Sequence, residues 1–481
     1  MAKIRIAGWV LFAVFLCVPA LEAQETDPAK TDPREQPAAP YLAPLPAGST
    51  SVLALNSPLG AATDQVQLDG NDRPLSGVQA PTLGPAFAAR NFLVPSFSAM
   101  SQLATSSSAA GFVQPTDFNY LLGTLDLNRV TDRSDLLMHY AGGGIFSSYQ
   151  NSAIQDMQFS YSYKWQRWSL LVGDDVSFLS QSPFGFGGVG GLGFLKGGSP
   201  FGPGGFLNPL LGPNQTIPTI MVPRLSNTAV SQIEYKLSPR SSWTASGSYG
   251  TLNFFGVGFI NSADALFQTG YNYSISPQST IAVIYTFDDF RYPAFPQTTR
   301  NNVVKLGYGR YVTGRLSFQL AVGPSLVMLR GVFTGSANNL SWALDSALNY
   351  KWDRTTLSFR FDRLVTGGSG VLFGAQTGQV EATIERTLSP RWGTSASIGY
   401  ATNASLIPIA APSITQNYNS WYAAVRFNHQ MSPTTNLFLS YGARLQAMNA
   451  TACTTPNCGG NFISHEISAG ITFGLRPISL H

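Results

Sequence analysis

Residues 226–252, SNTAVSQIEYKLSPRSSWTASGSYGTL, contain two stretches of alternating apolar and polar side chains on either side of Ser238-Pro239. Alternation with a period of two predicts β-strands, and the tight turn between them predicts a β-hairpin. Similar turns follow along the chain at Ser276-Pro277, Val312–Arg315, Lys351–Arg354, Ser389-Pro390 and Ser432-Pro433. The spacing between them, about forty residues, indicates a hairpin that is repeated many times.

Strands of about ten residues, with no helical pattern between them, are typical of a transmembrane β-barrel. We therefore predict an all-β fold, a transmembrane antiparallel up-and-down barrel of about 16–18 strands. Seventeen strands can be delimited between 117 and 475, and antiparallel closure requires an even number. Either Asn91–Met100 or Ala109–Gln114 supplies an eighteenth strand, which we favour, or the first of the seventeen lies outside the wall and sixteen remain.

Aromatic residues favour a membrane barrel over a soluble sandwich. Within 357–362, Leu and Phe occupy one face and Ser, Arg and Asp the other, which either fold would show. Rings that gather at the ends of strands beside the short turns mark a membrane interface, whereas in a soluble sandwich they would more often be spread through the core. The residues concerned are Trp165, Trp168, Trp243, Trp352, Trp392, Tyr235, Tyr273, Tyr308, Tyr350 and Phe473.

The amino terminus predicts export. Lys3 and Arg5 precede the apolar run Ile6–Val18, which is too short to span a membrane, and Ala20 and Ala23 suit a signal peptidase. After the signal, the chain is rich in Pro, Ala and Ser, which predicts a mostly disordered periplasmic segment with a plug or an extra strand near its end. The predicted organisation is a signal peptide at 1–23, this segment at 24–112, the barrel at 113–475 and a tail at 476–481.

The composition argues against a nucleic-acid partner, and the two cysteines outside the predicted signal peptide favour a disulfide over a metal site. Only 11% of the residues are charged, and the net charge of +4 is small and dispersed, which argues against nucleic acid. Cys453 and Cys458 lie in one loop, so in an oxidising compartment we expect them to form a disulfide. Two thiols without further ligands make a poor zinc site. We predict neither a metal nor a cofactor.

Function is expected on the inner face of the barrel and in one long loop. The residues predicted to line a pore are Lys305, Arg360, Asp362, Glu381, Glu385, Arg426 and Arg444. These charges also suit an interior closed by salt bridges. The connection 181–223 is long enough to carry function, and its aromatic side chains predict packing against a wall, a partner or an apolar ligand. The aromatic residues of this loop are Phe184, Phe186, Phe194, Phe201 and Phe206.

Catalysis is not predicted. The chain has four histidines, His139, His429, His465 and His481. Ser464 and His465 are adjacent, but neighbouring residues of a strand point to opposite faces and cannot form a nucleophile–base pair. We therefore predict that the protein is not an enzyme.

The last strand, Ser464–Leu475, resembles the terminal strand of Gram-negative outer-membrane proteins, which the barrel-assembly machinery recognises, although here Arg476–His481 continues beyond it. The resemblance covers about 117–475 and is to porin-like barrels in general. It implies Sec-type export to the bacterial outer membrane, contact with its lipid, and a channel for passage or export of small polar solutes. By the same resemblance, the 181–223 loop with its five phenylalanines is expected to fold inward and form the constriction of this channel. Because general porins are commonly homo-oligomers, the resemblance also implies a possible homo-oligomer. The alternatives are a transporter or exporter of apolar compounds or polysaccharide, and a non-conducting scaffold or surface-binding barrel.

Overall fold

The computed structural model describes residues 75–76, 91–108, 111–112, 115–148, 151–179, 217, 223–256, 258–331, 335–368, 370–407, 416–432, 434–449 and 461–479. The predicted signal peptide, the five phenylalanines of the constriction loop and both cysteines of the predicted disulfide lie outside these residues. Among the described residues, no helix is long and apolar enough to cross a bilayer.

Twenty strands make up the described structure, and eighteen of them are long. They are β1 (Phe92–Ser108), β2 (Gly111–Phe112), β3 (Thr116–Val130), β4 (Ser134–Ser147), β5 (Ser152–Lys164), β6 (Trp168–Leu179), β7 (Arg224–Ser238), β8 (Ser241–Phe254), β9 (Ser262–Ser276), β10 (Ser279–Arg291), β11 (Gln297–Thr313), β12 (Leu316–Gly331), β13 (Gly335–Trp352), β14 (Thr355–Thr366), β15 (Ala375–Ser389), β16 (Trp392–Ser405), β17 (Asn417–Ser432), β18 (Thr435–Met448), β19 (Phe462–Gly474) and β20 (Ile478–Ser479).

The long strands form a closed antiparallel barrel. Each of them from β3 to β19 pairs with the next in sequence, and β1 closes the wall by pairing with both β3 and β19. The two-residue strands β2 and β20 pair with the two ends of β1. The predicted fold class is confirmed, with eighteen strands in the wall. The eighteenth strand is Phe92–Ser108, so the wall begins before residue 113.

The Ser-Pro turns have a common hydrogen bond. Ser238 Oγ accepts a hydrogen bond from Arg240 N at 3.2 Å, and Ser276 Oγ accepts one from Gln278 N at 3.2 Å. Proline has no N–H to contribute, so the serine hydroxyl binds the next donor along the chain. At Ser238 the strand register also shifts by one residue, as in a β-bulge. The recurring motif therefore forms a series of similar turns, whose side of the barrel we call the short-turn end; the opposite side is the long-loop end.

Two aromatic belts bound the lipid-facing surface. Near the short-turn end, Trp168 contacts Tyr235 at 4.3 Å between ring centroids, and Trp392 stacks on His429 at 4.2 Å. A second belt, which the sequence did not predict, includes Tyr400, which lies 4.4 Å from Trp421. Trp392 and Tyr400 lie on β16 eight residues apart, about 27 Å along the strand. This matches a tilted strand crossing an apolar band of about 25 Å.

Substitution of Leu306 tests which face contacts lipid. Leu306 lies near the middle of β11 and is 63% exposed on the outer surface. Leu306→Arg is expected to lower the free energy of unfolding by about 2–4 kcal/mol, because a cation at the bilayer midplane is poorly solvated. Val312 is on the same face near the short turn, where Val312→Arg should cost about 0–1 kcal/mol. Urea unfolding in lipid vesicles measures both. Equal costs would contradict the assigned membrane position.

Candidate solute pathway

Charged side chains of both signs form a row on the lumen-facing surface. Lys305 Nζ on β11 binds Asp345 Oδ2 on β13 at 2.5 Å. Asp345 is directly opposite Asp362 of β14, which binds Arg360 Nε at 2.6 Å. Arg360 is in turn directly opposite Glu381 of β15. The row therefore passes from strand to strand around this part of the wall.

The same row continues from β15 to β19. Tyr422 of β17 hydrogen-bonds Glu381 and is directly opposite Arg444 of β18. Arg444 Nη1 lies 3.4 Å from Glu466 Oε1, and both side chains are at most 5% exposed. We call these eight residues the charge row: Lys305, Asp345, Asp362, Arg360, Glu381, Tyr422, Arg444 and Glu466. It covers half of the eighteen-strand wall, β11 to β19.

Gly399 allows Tyr422 to reach Glu381. Gly399 of β16 is directly opposite Glu381 on one side and Tyr422 on the other. A Cβ atom at Gly399 would lie 2.0 Å from Cε1 of Tyr422. The ring can therefore cross β16 only because this position has no side chain.

The structure places all seven predicted pore residues in the wall, on the face opposite the exposed apolar side chains. Glu385 and Arg426 occupy a second cross-strand row nearer the short-turn end, with Ser395 between them. Arg426 Nε donates to Asn428 Oδ1 at 2.8 Å, and its guanidinium lies 4.3 Å from the centre of the Phe438 ring. The other five belong to the charge row. Their role as the lining of a conducting pore stays a prediction.

The long-loop end is narrowed by the connection between β14 and β15. Gly368, Gly370 and Gly374 have φ values of 84°, 77° and 89°, which favour glycine. Gly370 O accepts a hydrogen bond from Ile260 N, in the β8–β9 connection, at 2.8 Å. Four wall strands, β10 to β13, lie between β9 and β14. A direct bond between the two connections requires them to extend over the opening of the barrel.

Apolar side chains from separate strands fill the space beneath this connection. We call them the outer apolar cluster: Phe290, Tyr292, Val327, Leu329, Val365 and Ile407, each at most 5% exposed. They come from β10, β12 and β14 and from the residues after β10 and β16. Side chains on strands this far apart can share one cluster only inside the barrel. The cluster therefore reduces the open cross-section at the long-loop end.

The end of β14 departs from the regular wall. β14 pairs with β13 only as far as Arg363 opposite Leu344, although β13 begins at Gly335. Beyond this point the carbonyl of Leu364 accepts a hydrogen bond from Gln376 Nε2 at 3.0 Å. Val365 would face lipid in a regular alternation, yet it is 3% exposed and belongs to the outer apolar cluster. The inward turn of β14 brings the following glycine-rich connection over the lumen.

Ile217, within the long 181–223 connection, lies at this end of the barrel. Ile217 is 1% exposed and packs in one cluster with Leu372, Ala375 and Tyr418. The connection joins β6 to β7, whereas these partners belong to the region from the β14–β15 connection to β17. Six strands separate β6 from β17 by the shorter route around the wall. Ile217 therefore contacts the far side of the barrel.

Two features of the lumen escaped the sequence analysis. A cavity of about 30 Å³, large enough for a water molecule, is lined by charged side chains that include Asp264, Asp288, Lys305 and Asp345. Asp264 and Asp288 fit the lumen-facing alternation of β9 and β10, so strand phase could have located them. The β14–β15 connection was not predicted either, although Gly367-Gly368-Ser369-Gly370 before Val371-Leu372-Phe373 is a signal for a tight apolar loop.

The described histidines make structural contacts. His139 Nδ1 lies 2.5 Å from Asp126 Oδ1, and both side chains are buried. Tyr441 Oη lies 3.0 Å from His465 Nδ1 on the exposed side of the wall, whereas Ser464 is buried on the lumen-facing side. Ser464 and His465 thus point to opposite faces.

The chain matches no family model and no curated protein. Several solved structures resemble it weakly. OccK2 (OpdF) of Pseudomonas aeruginosa, in complex with glucuronate, is 7% identical over 81% of this chain and 100% of its own, with a TM-score of 0.42. P. aeruginosa OprD is 9% identical over 81% of this chain and 98% of its own, with a TM-score of 0.40. Acinetobacter baumannii OccAB4 is 9% identical over 80% of this chain and 99% of its own, with a TM-score of 0.41.

The class of protein follows from this chain's own geometry. A closed antiparallel wall leaves no unpaired sheet edge, which is the condition for strands to cross a bilayer. Exposed apolar side chains and two aromatic belts cover its outside, and charged side chains lie within. These features define a membrane-spanning β-barrel with a polar interior.

Proposed function

We propose that the protein is a porin-like channel of the bacterial outer membrane, for passage or export of small polar solutes. The observation that carries the proposal is the charged, lumen-facing surface of a closed eighteen-strand wall. Barrels of this size are wide enough to hold an aqueous channel unless something fills them. Outer-membrane lipid and the barrel-assembly machinery are the partners that this location requires.

The second part of the proposal is a constriction at the long-loop end. The contact of Ile217 with the far wall supports a 181–223 loop that folds inward, as predicted. The β14–β15 connection and the outer apolar cluster add to the narrowing. Solutes would then meet an apolar restriction first and the charged wall beyond it, an arrangement that favours small polar solutes.

Swelling of proteoliposomes tests solute passage. Vesicles loaded with an impermeant polymer should swell in an isotonic solution of a small sugar, and more slowly as the sugar becomes larger, because the constriction sets an upper size. Protein-free vesicles provide the control. A protein that is folded, as shown by its resistance to unfolding in cold detergent sample buffer, but that passes no solute would favour the non-conducting scaffold.

A further inference from the structure

Two residues of the amino-terminal segment, Leu75 and Ser76, lie inside the barrel. Ser76 is 1% exposed. Its backbone N–H donates to Asn272 Oδ1 at 3.0 Å, and its carbonyl accepts from Gln268 Nε2 at 2.8 Å. Its hydroxyl accepts from Asn272 Nδ2 at 2.7 Å and also hydrogen-bonds Thr244 Oγ1. Every polar group of Ser76 is thus bound by side chains of the wall.

The shape of the wall complements this dipeptide. Gly270 lies between Gln268 and Asn272 on the lumen-facing side of β9, and a Cβ there would lie 2.3 Å from Cβ of Ser76. A Cβ at Gly309 of β11 would lie 3.0 Å from Cδ2 of Leu75. Side chains at these glycines would occupy the space that the dipeptide fills. We call Thr244, Gln268, Gly270, Asn272 and Gly309 the seat.

The seat lies at the short-turn end, far from the strand to which the dipeptide's chain leads. Thr244 is near the start of β8 and Asn272 near the end of β9, both beside short turns. The chain after Ser76 enters the wall at Phe92 in β1, and six strands, β3 to β8, separate β1 from β9. The covalent connection from Ser76 to Phe92 therefore joins opposite parts of the wall.

We propose that Leu75–Ser76 is a tethered plug peptide, held in the seat by hydrogen bonds to all three polar groups of Ser76, which narrows the lumen at the short-turn end. Docking itself is independent of transport. The narrowing rests on the proposed channel function. A channel with this device has two restrictions, the outer apolar cluster at one end and the plug peptide at the other.

Cross-linking tests docking. In a Cys453→Ser/Cys458→Ser background, Ser76→Cys with Thr244→Cys should form a disulfide under mild oxidation, because the two native hydroxyls are in hydrogen-bond contact. When the oxidised protein is then denatured, its two cysteines should not react with maleimide-polyethylene glycol, because a disulfide has no free thiol. Ser76→Cys with Ser248→Cys is the matched control, since Ser248 lies on the same face about 13 Å further along β8. Equal labelling of the two cysteine pairs would show that Ser76 does not dock beside Thr244 and would overturn the proposal.

Conductance tests the narrowing. The variant Gln268→Ala/Asn272→Ala removes three hydrogen bonds to Ser76 and should give larger single-channel steps than the parent, whereas the cross-linked pair should keep small steps until it is reduced. Unchanged steps in both would overturn the plugging role. Efficient cross-linking in a protein that conducts under no condition would overturn the channel, and the plugging role with it, while supporting the seat.

Discussion

Arg444→Met is expected to lower the free energy of unfolding by about 3–5 kcal/mol, the cost of leaving a buried charge without its partner. Arg444 pairs with Glu466 at 3.4 Å, and their side chains are 5% and 3% exposed. Methionine keeps much of the volume but has no positive charge, so the Glu466 carboxylate would remain in a site nearly inaccessible to water. Urea unfolding in vesicles, followed by tryptophan fluorescence, measures the loss.

The control is an ion pair of the same chemistry in an exposed position. Arg315 lies 3.3 Å from Asp353 beside the short turns, where the two side chains are 58% and 69% exposed. Arg315→Met should change the free energy of unfolding by about 1 kcal/mol or less, because water screens the pair. The double variant Arg444→Met/Glu466→Gln should recover part of the loss. Equal effects at the two sites would show that water screens the Arg444–Glu466 pair as it screens the exposed pair, which would contradict its burial.

Leu372→Asp is expected to open the long-loop end and enlarge the conductance. Leu372 is 2% exposed among Ile217, Ala375 and Tyr418. An unpaired carboxylate in this apolar cluster costs about 3 kcal/mol or more, and 3 kcal/mol shifts a conformational equilibrium by about a hundredfold. The connection should therefore leave the cluster, and single-channel steps in a planar bilayer should become larger.

Leu372→Met provides the matched control for this variant. Methionine fills a similar volume at a cost below about 1.5 kcal/mol, so the connection should stay in place and the steps should keep the parent's size. Larger steps with methionine as well would attribute the effect to disturbed packing rather than to the charge. Unchanged steps with aspartate would contradict the constriction at this end.

The strands of the wall could be predicted because they depend on local sequence patterns. Alternation fixes which residues share a face, and the Ser-Pro turns fix where each hairpin reverses, so the lumen side of Arg360 and Glu381 followed from phase alone. Antiparallel closure requires an even number of strands, so the seventeen predicted strands needed one more, and Phe92–Ser108 is that strand. That strand was uncertain because the polar run Ser106-Ser107-Ser108 at its end has little of the alternation that marks the others.

The contents of the lumen depend on contacts between distant parts of the chain. No local pattern indicates that Ser76 meets Asn272, 196 positions away. The inward turn of β14 likewise depends on where its pairing with β13 stops, which the sequence of Thr355–Thr366 does not show. The glycines that permit both arrangements, Gly270 and Gly370, are visible in the sequence, but their partners are not.

Conductance of the purified, refolded protein in a planar lipid bilayer, with and without residues 184–213, tests the channel most directly. Stable steps that become larger when these residues are removed are the predicted result, and they would establish both a pore and the 181–223 loop as a constriction. Absence of steps from both forms of a correctly folded barrel would contradict the channel and direct attention to the surface of the protein.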